Sequence, residues 1–118
     1  MEFIELFFKM LVGHAIADYS LQTGFMDYAK NRHNDPAKFT PAGQSPHILW
    51  PYVLTAHALI HGAAVWWITG SFGFFLAETI SHWLIDFGKC DKWFSLHTDQ
   101  ALHILCKLVW CTLFLALN

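Results

Sequence analysis

The stretch Glu78-Thr-Ile-Ser-His82-Trp-Leu-Ile-Asp86-Phe-Gly88 decides how this chain is read. Its three ionisable residues recur every fourth position, so on a helix they leave one face about one turn apart. The residues between them are apolar or small, and polar groups in such a setting are costly to bury without partners. The same spacing recurs as His14-x3-Asp18, His57-x3-His61 and Asp99-x3-His103. One such pair is chance. Four pairs, one per predicted helix, specify a bundle lined with imidazoles and carboxylates, which is how bundles build multi-metal sites.

Working outward, hydrophobic periodicity predicts an all-α, four-helix bundle, a single domain over residues 1–118. Helices are expected at about 2–22, 47–69, 71–88 and 98–117, with a polar loop at 23–46. On the first helix Glu5, Lys9, His14, Asp18 and Gln22 form a polar stripe. The loop is rich in Asn, Asp, Pro and Gly, with room for a short amphipathic turn around 25–30. Residues 48–69 carry no Asp, Glu, Lys or Arg, and at 1.5 Å per residue they reach about the 30 Å of a bilayer core. Trp50 and Tyr52 at one end, with Trp66 and Trp67 at the other, follow the pattern of an aromatic belt, so this second helix is the expected membrane span. Pro51 suits its first turn, Gly70-Ser71 a tight connection, Gly88 the stop of helix three and Thr98 the N-cap of helix four.

Composition agrees with a membrane setting: 55% of residues are hydrophobic and 14% charged, against roughly 45–50% and 25% in soluble domains. Net charge is −2 with no basic stripe, so duplex nucleic acid is excluded as the expected partner. Cys90, Cys106 and Cys111 form no C-x-x-C pair and read as inert apolar side chains. Residues 3–12 lack a basic leader and are interrupted by Glu5 and Lys9, which argues against a signal peptide. Lys30, Arg32, Lys38, Lys89 and Lys92 fall in the loops after helices one and three, at one end of an up-down-up-down bundle. The positive-inside rule then predicts an inner-membrane protein with that end cytoplasmic and both termini outside.

All four pairs also fall at one depth, roughly 5–20 Å from the basic end at helical rise. His14, Asp18, His57, His61, His82, Asp86, Asp99 and His103 are therefore the candidate metal ligands. Glu78, Asp86 and Asp99 are the candidate catalytic carboxylates. Gln22 and Gln100 would orient ligands or substrate, and Lys30 and Lys89 at the same end would meet an anionic group, although charges there also serve topology and solubility. His33, His47 and His97 sit in polar or boundary segments and are expected to face solvent. Ala58 stands where an H-E-x-x-H metalloprotease needs glutamate, and no G-x-S-x-G elbow or phosphate-binding Gly-rich loop is present.

The segments GHAIADYSLQT (13–23), LTAHALIHGAAV (54–65), ETISHWLIDFGK (78–89) and TDQALHIL (98–105) resemble, in that order, the motif blocks of a small bacterial and phage membrane-protein family known as domain of unknown function 3307. That resemblance implies a fold and a polar constellation but no activity. Gly13-His14-x3-Asp18-x3-Gln22 also resembles the G-H-x3-D-x3-Q signature of the zinc-dependent phospholipase C and single-strand nuclease superfamily, and small inner-membrane metal-dependent hydrolases look similar. This second resemblance implies zinc on His14 and Asp18 and a phosphoester substrate. The chain departs from that signature after Gln22, where Thr23-Gly24-Phe25 replaces Pro-Leu-His.

The expectation is a membrane-embedded metal-dependent hydrolase using a metal-activated water on a phospholipid, lipid-linked phosphate or nucleotide. Two or more divalent ions are expected per chain, zinc first, with manganese or magnesium as alternatives. Membrane lipid and a small phosphorylated substrate are the expected partners, with homo-oligomers a further option. The competing class is a non-enzymatic membrane protein, either a metal or proton conduit or a partner-binding effector with a polar structural core.

Overall fold

The computed structural model describes residues 1–118, the side chain of Pro46 excepted. The chain is all-α. Four long helices, α1 (Phe3–Ala15), α3 (Leu49–Thr69), α4 (Phe72–Cys90) and α5 (Leu96–Leu117), surround a common axis, and a short α2 (Gly24–Ala29) lies in the first loop. Each long helix packs on two others: α1 and α4 both touch α3 and α5, which closes a four-membered ring.

Local chemistry accounts for the boundaries. α1 does not end at Ala15 but widens into a π-helical turn, Ile16–Ser20, which carries Asp18. Such turns in a helix often mark functional positions. Thr23 caps α2 by accepting from the Met26 N–H. Two 3-10 turns, Ala37–Phe39 and Pro46–Ile48, lead into α3. Gly70, at φ 69°, takes the left-handed conformation that closes α3, and Ser71 caps α4 from the next position.

Three sequence expectations are corrected here. Gly88 does not stop α4, which runs two residues further to Cys90. A Cβ at Gly88 would lie 2.8 Å from the Phe94 ring and 2.9 Å from that of Trp93, so glycine is required for close packing of the returning loop. The reversal itself uses Lys92 at φ 61°. Thr98 is not the N-cap of α5; Ser95 is, accepting from the Thr98 N–H, and the helix starts at Leu96. Among the described residues the helix long and apolar enough to cross a membrane is α5, not α3. His57, His61 and the tryptophans of α3 lower its mean hydropathy, whereas α5 ends in the almost unbroken apolar run from Leu108.

The interior is unusual. Among the described residues, ten buried polar or charged side chains stand beside ten buried hydrophobic ones, many of them small. Large apolar groups point outward instead: Ile4, Phe8 and Val12 on α1, Ile16 on its π turn, Leu76, Ile80 and Leu84 on α4, Leu105, Val109 and Leu113 on α5. Apolar packing is concentrated at the end holding the termini, where Leu6, Met10, Val65 and Cys111 form a closed cluster supported by Phe74, Trp110 and Phe114.

Candidate metal centre

The polar interior is assembled from facing helix stripes. On α4 the stripe is Glu78, His82 and Asp86; on antiparallel α5 it is Asp99, His103 and Lys107. The two pair rung by rung. Lys107 donates to Glu78 Oε1, whose other oxygen accepts from Trp110 Nε1 at 2.7 Å. The rings of His82 and His103 stack with centroids 4.1 Å apart. On the third rung two carboxylates meet: Asp86 Oδ1 and Asp99 Oδ1 lie 3.2 and 3.3 Å from the same His103 Nε2.

α3 adds His57 and His61, and α1 with its π turn adds His14 and Asp18. The close approach of α3 to α4 depends on Gly62, where a Cβ would fall 2.0 Å from Thr79 Oγ1. That contact brings His61 and His82 to 3.6 Å between centroids. Asp18 Oδ1 accepts from His61 Nε2 at 3.0 Å and lies 3.4 Å from His57 Nε2. His57 Nε2 is also 3.3 Å from Asp86 Oδ2, so it stands between two aspartates.

Two groups of donor atoms lie close enough for a shared ion, each with its atoms within 4.8 Å of one another: Asp18, His57, His61 and His82, and then His82, Asp86 and His103. His82 belongs to both. The donors are imidazole nitrogens and carboxylate oxygens, the set that suits zinc and related divalent ions. Both nitrogens of His57 and of His82, Nδ1 of His61 and of His14, and Oδ1 of Asp99 are buried without a hydrogen-bond partner among the described residues. Orphaned buried groups of this kind are costly, and an ion between them would satisfy them. The residues fit a metal.

His14 and Asp99 flank these groups. His14 Nε2 is 3.2 Å from Gln100 Oε1 and 3.4 Å from Asp18 Oδ2, and Gln100 Nε2 donates to Asp99 Oδ2 at 3.1 Å. Gln100 Nε2 also donates to Asp18 Oδ2 at 3.4 Å, so Gln100 contacts three candidate residues. Gln22 donates to the Asp18 carbonyl and accepts from Lys30. Asp18 keeps 12% of its side-chain surface exposed and His14 8%, so the centre is least covered on its α1 side.

Lys30 is the largest departure from a surface role. Its ammonium is buried, donating to Asp86 Oδ2 at 2.8 Å and to Gln22 Oε1 at 2.7 Å. Lys89 is half-buried at the end of α4, with no side-chain hydrogen bond among the described residues. His33, His47 and His97 are exposed, as expected. Sequence reasoning missed the burial of Lys107, although it lies one turn beyond His103 on the same stripe. It also missed a latch: Arg32 donates to both oxygens of Asp91 at 3.0 and 2.6 Å, stacks over Phe87, and is joined by His33. The Arg32 guanidinium holds the Asp91 carboxyl below its ordinary range. This latch fixes the 23–46 loop to the α4–α5 turn.

The family model described as "Protein of unknown function (DUF3307)" matches residues 6–118, nearly the whole chain. The chain belongs to the DUF3307 family. Every residue of the centre, from His14 to His103, lies within the matched region of this DUF3307 chain. No curated protein and no solved structure matches it. Nothing found supports the likeness to the phospholipase C and nuclease superfamily. In this DUF3307 protein the Gln22 of that short motif is engaged by Lys30 and the Asp18 carbonyl.

Proposed function

We propose that this protein is a membrane-embedded hydrolase that uses divalent metal held in its His/Asp interior, with a phosphoester as the preferred substrate class. The observation that carries the reading is the convergence of five imidazoles and three aspartates from four helices at one depth, with orphaned nitrogens facing one another. The membrane setting is supported by the inverted distribution of polar and apolar side chains and by α5. The two basic loops lie together, bonded through Arg32 and Asp91, which supports a cytoplasmic placement of that end with both termini opposite.

In this reading Asp18, His57, His61 and His82 hold one ion, and His82, Asp86 and His103 form the second position. A divalent ion, zinc first, supplies an electrophile and lowers the pKa of a bound water. The protein's own part is to aim ligands through Gln100 and to leave the α1 side accessible at Asp18. Asp99, with Oδ1 free of hydrogen bonds, is the carboxylate best placed to accept a proton. Glu78 is better suited to holding the bundle, since Lys107 and Trp110 engage both of its oxygens. Lys30 is already paired with Asp86, so half-buried Lys89 is the cation at the site's end that supports a phosphoester substrate.

The test is a screen of phospholipids, lipid-linked phosphates and nucleotides with the full chain in detergent micelles. One class should turn over, chelator should abolish turnover, and Asp18→Asn should lower it by orders of magnitude. Metal-replete protein inert on every class would remove the enzyme reading.

One observation favours a second reading. Lys30 and Lys107 already neutralise two buried carboxylates, as in a polar structural core that holds helices together or binds a partner. A conduit is opposed by the apolar cluster of Leu6, Met10, Val65 and Cys111, which closes the far end.

A further inference from the structure

Charge counting along the rungs isolates one position. Glu78 is balanced by Lys107 within the pair of stripes, and the His82–His103 rung is neutral when its imidazoles are. The remaining carboxylates of the centre, Asp86 and Asp99, which are buried, and Asp18, which is partly exposed, meet a single buried ammonium, Lys30. That ammonium comes from the first loop, at the C-terminus of α2, whereas the bundle's other buried ligands come from the long helices or the π turn of α1. It bonds Asp86 Oδ2, the oxygen facing His57, while Asp86 Oδ1 faces His103. Three negative charges against one positive leave two, the charge of one divalent ion.

We propose that Lys30 is a tethered cation that keeps the second metal position, His82, Asp86 and His103, from filling at rest. The inference rests on the metal reading above and adds its regulation. With Lys30 in place, one divalent ion at Asp18, His57, His61 and His82 balances the three aspartates of the centre. A second ion would sit beside an ammonium that shares its aspartate, in a medium where like charges repel strongly. Withdrawal of Lys30 with α2 frees Asp86 Oδ2 and restores the negative charge that a second ion needs. An anionic phosphoester at the loop end is the chemistry that would draw the ammonium away, so substrate arrival and completion of the two-ion site would be coupled.

The experiment is elemental analysis of the full chain in detergent micelles after loading with excess zinc and removal of free ion. Wild type should hold one zinc per chain, Lys30→Met two, and Lys30→Arg, which keeps the cation, one. Lys30→Met combined with Asp86→Asn should return to one, which places the added ion at Asp86. Gln22→Ala removes only one of the two bonds that seat Lys30. It covers the case in which Lys30→Met does not fold, and should tighten binding of the second zinc by about tenfold, the worth of one hydrogen bond. Two zinc ions in wild type, or one in Lys30→Met, would overturn the gate and leave the metal reading standing. No zinc in any folded chain would overturn both.

Discussion

The imidazoles of His61 and His82 lie face to face, 3.6 Å between centroids and 19° from parallel, with Nδ1 of each buried and unpartnered. Two imidazolium rings at that separation would repel strongly. Neutral imidazole is also the form that binds metal. His82→Ala removes the residue common to both donor groups and should abolish metal retention altogether, whereas His103→Ala should spare the first ion. Metal content of the two variants, measured side by side, checks this.

Gly62 makes that stacking attainable. A methyl group there would meet Thr79 Oγ1 at 2.0 Å and the Phe75 carbonyl at 3.0 Å, so α3 and α4 would have to separate. Gly62→Ala should destabilise the bundle by about 1–3 kcal/mol, the usual cost of overpacking. Gly62→Ala with Thr79→Ala should recover part of the loss, because the closest clashing atom is then gone. Thermal unfolding in detergent reads both.

The pair of Glu78 and Lys107 is fully buried. Lys107→Met leaves a buried carboxylate without its cation and should cost about 3–5 kcal/mol. Replacing both partners, Glu78→Gln with Lys107→Met, should cost much less. If Glu78→Gln alone removed activity while stability and metal content held, the anchoring role assigned to Glu78 would be replaced by a catalytic one.

The latch between Arg32 and Asp91 should respond to acid. Asp91 is held below its ordinary carboxylate range, so the contact contributes above that range and is lost as pH falls through the depressed value. His33 Nε2 lies 3.0 Å from Asp91 Oδ1 and belongs to the same contact. Limited proteolysis of the 23–46 loop should therefore be slow at neutral pH and fast only in strong acid. Asp91→Asn should make it fast at every pH.

Much of this arrangement is legible in the sequence, and the limits have physical causes. The four i,i+4 pairs predict both the bundle and its polar lining, because spacing on a helix fixes which side chains share a face. They do not reveal the π turn, since Asp18 keeps the same separation from His14 in either helix type. Lys30 reads as a loop charge, and its burial depends on α2 folding back over the bundle end, a non-local event that no periodicity records. Lys107 was readable in principle, one turn from His103 on the stripe. Its partner on α4 was knowable only from the antiparallel pairing. Gly88 illustrates the opposite error: a glycine near a helix end suggests a stop, yet this one serves the rings of Trp93 and Phe94.

Membrane placement rests on the outward apolar surface and is open to direct measurement. The protein should resist alkaline carbonate extraction from membranes. A reporter fused after Asn118 should read as external and one inserted in the 31–46 segment as cytoplasmic. Release by carbonate, or a cytoplasmic C-terminus, would remove this topology.

The central claim is that the His/Asp interior holds divalent metal. Elemental analysis of the full chain, purified without added metal, tests it most directly. The account predicts at least one divalent ion per chain in the wild type and none in a folded His61→Ala, His82→Ala double variant. A folded wild-type chain with no stoichiometric metal would contradict it.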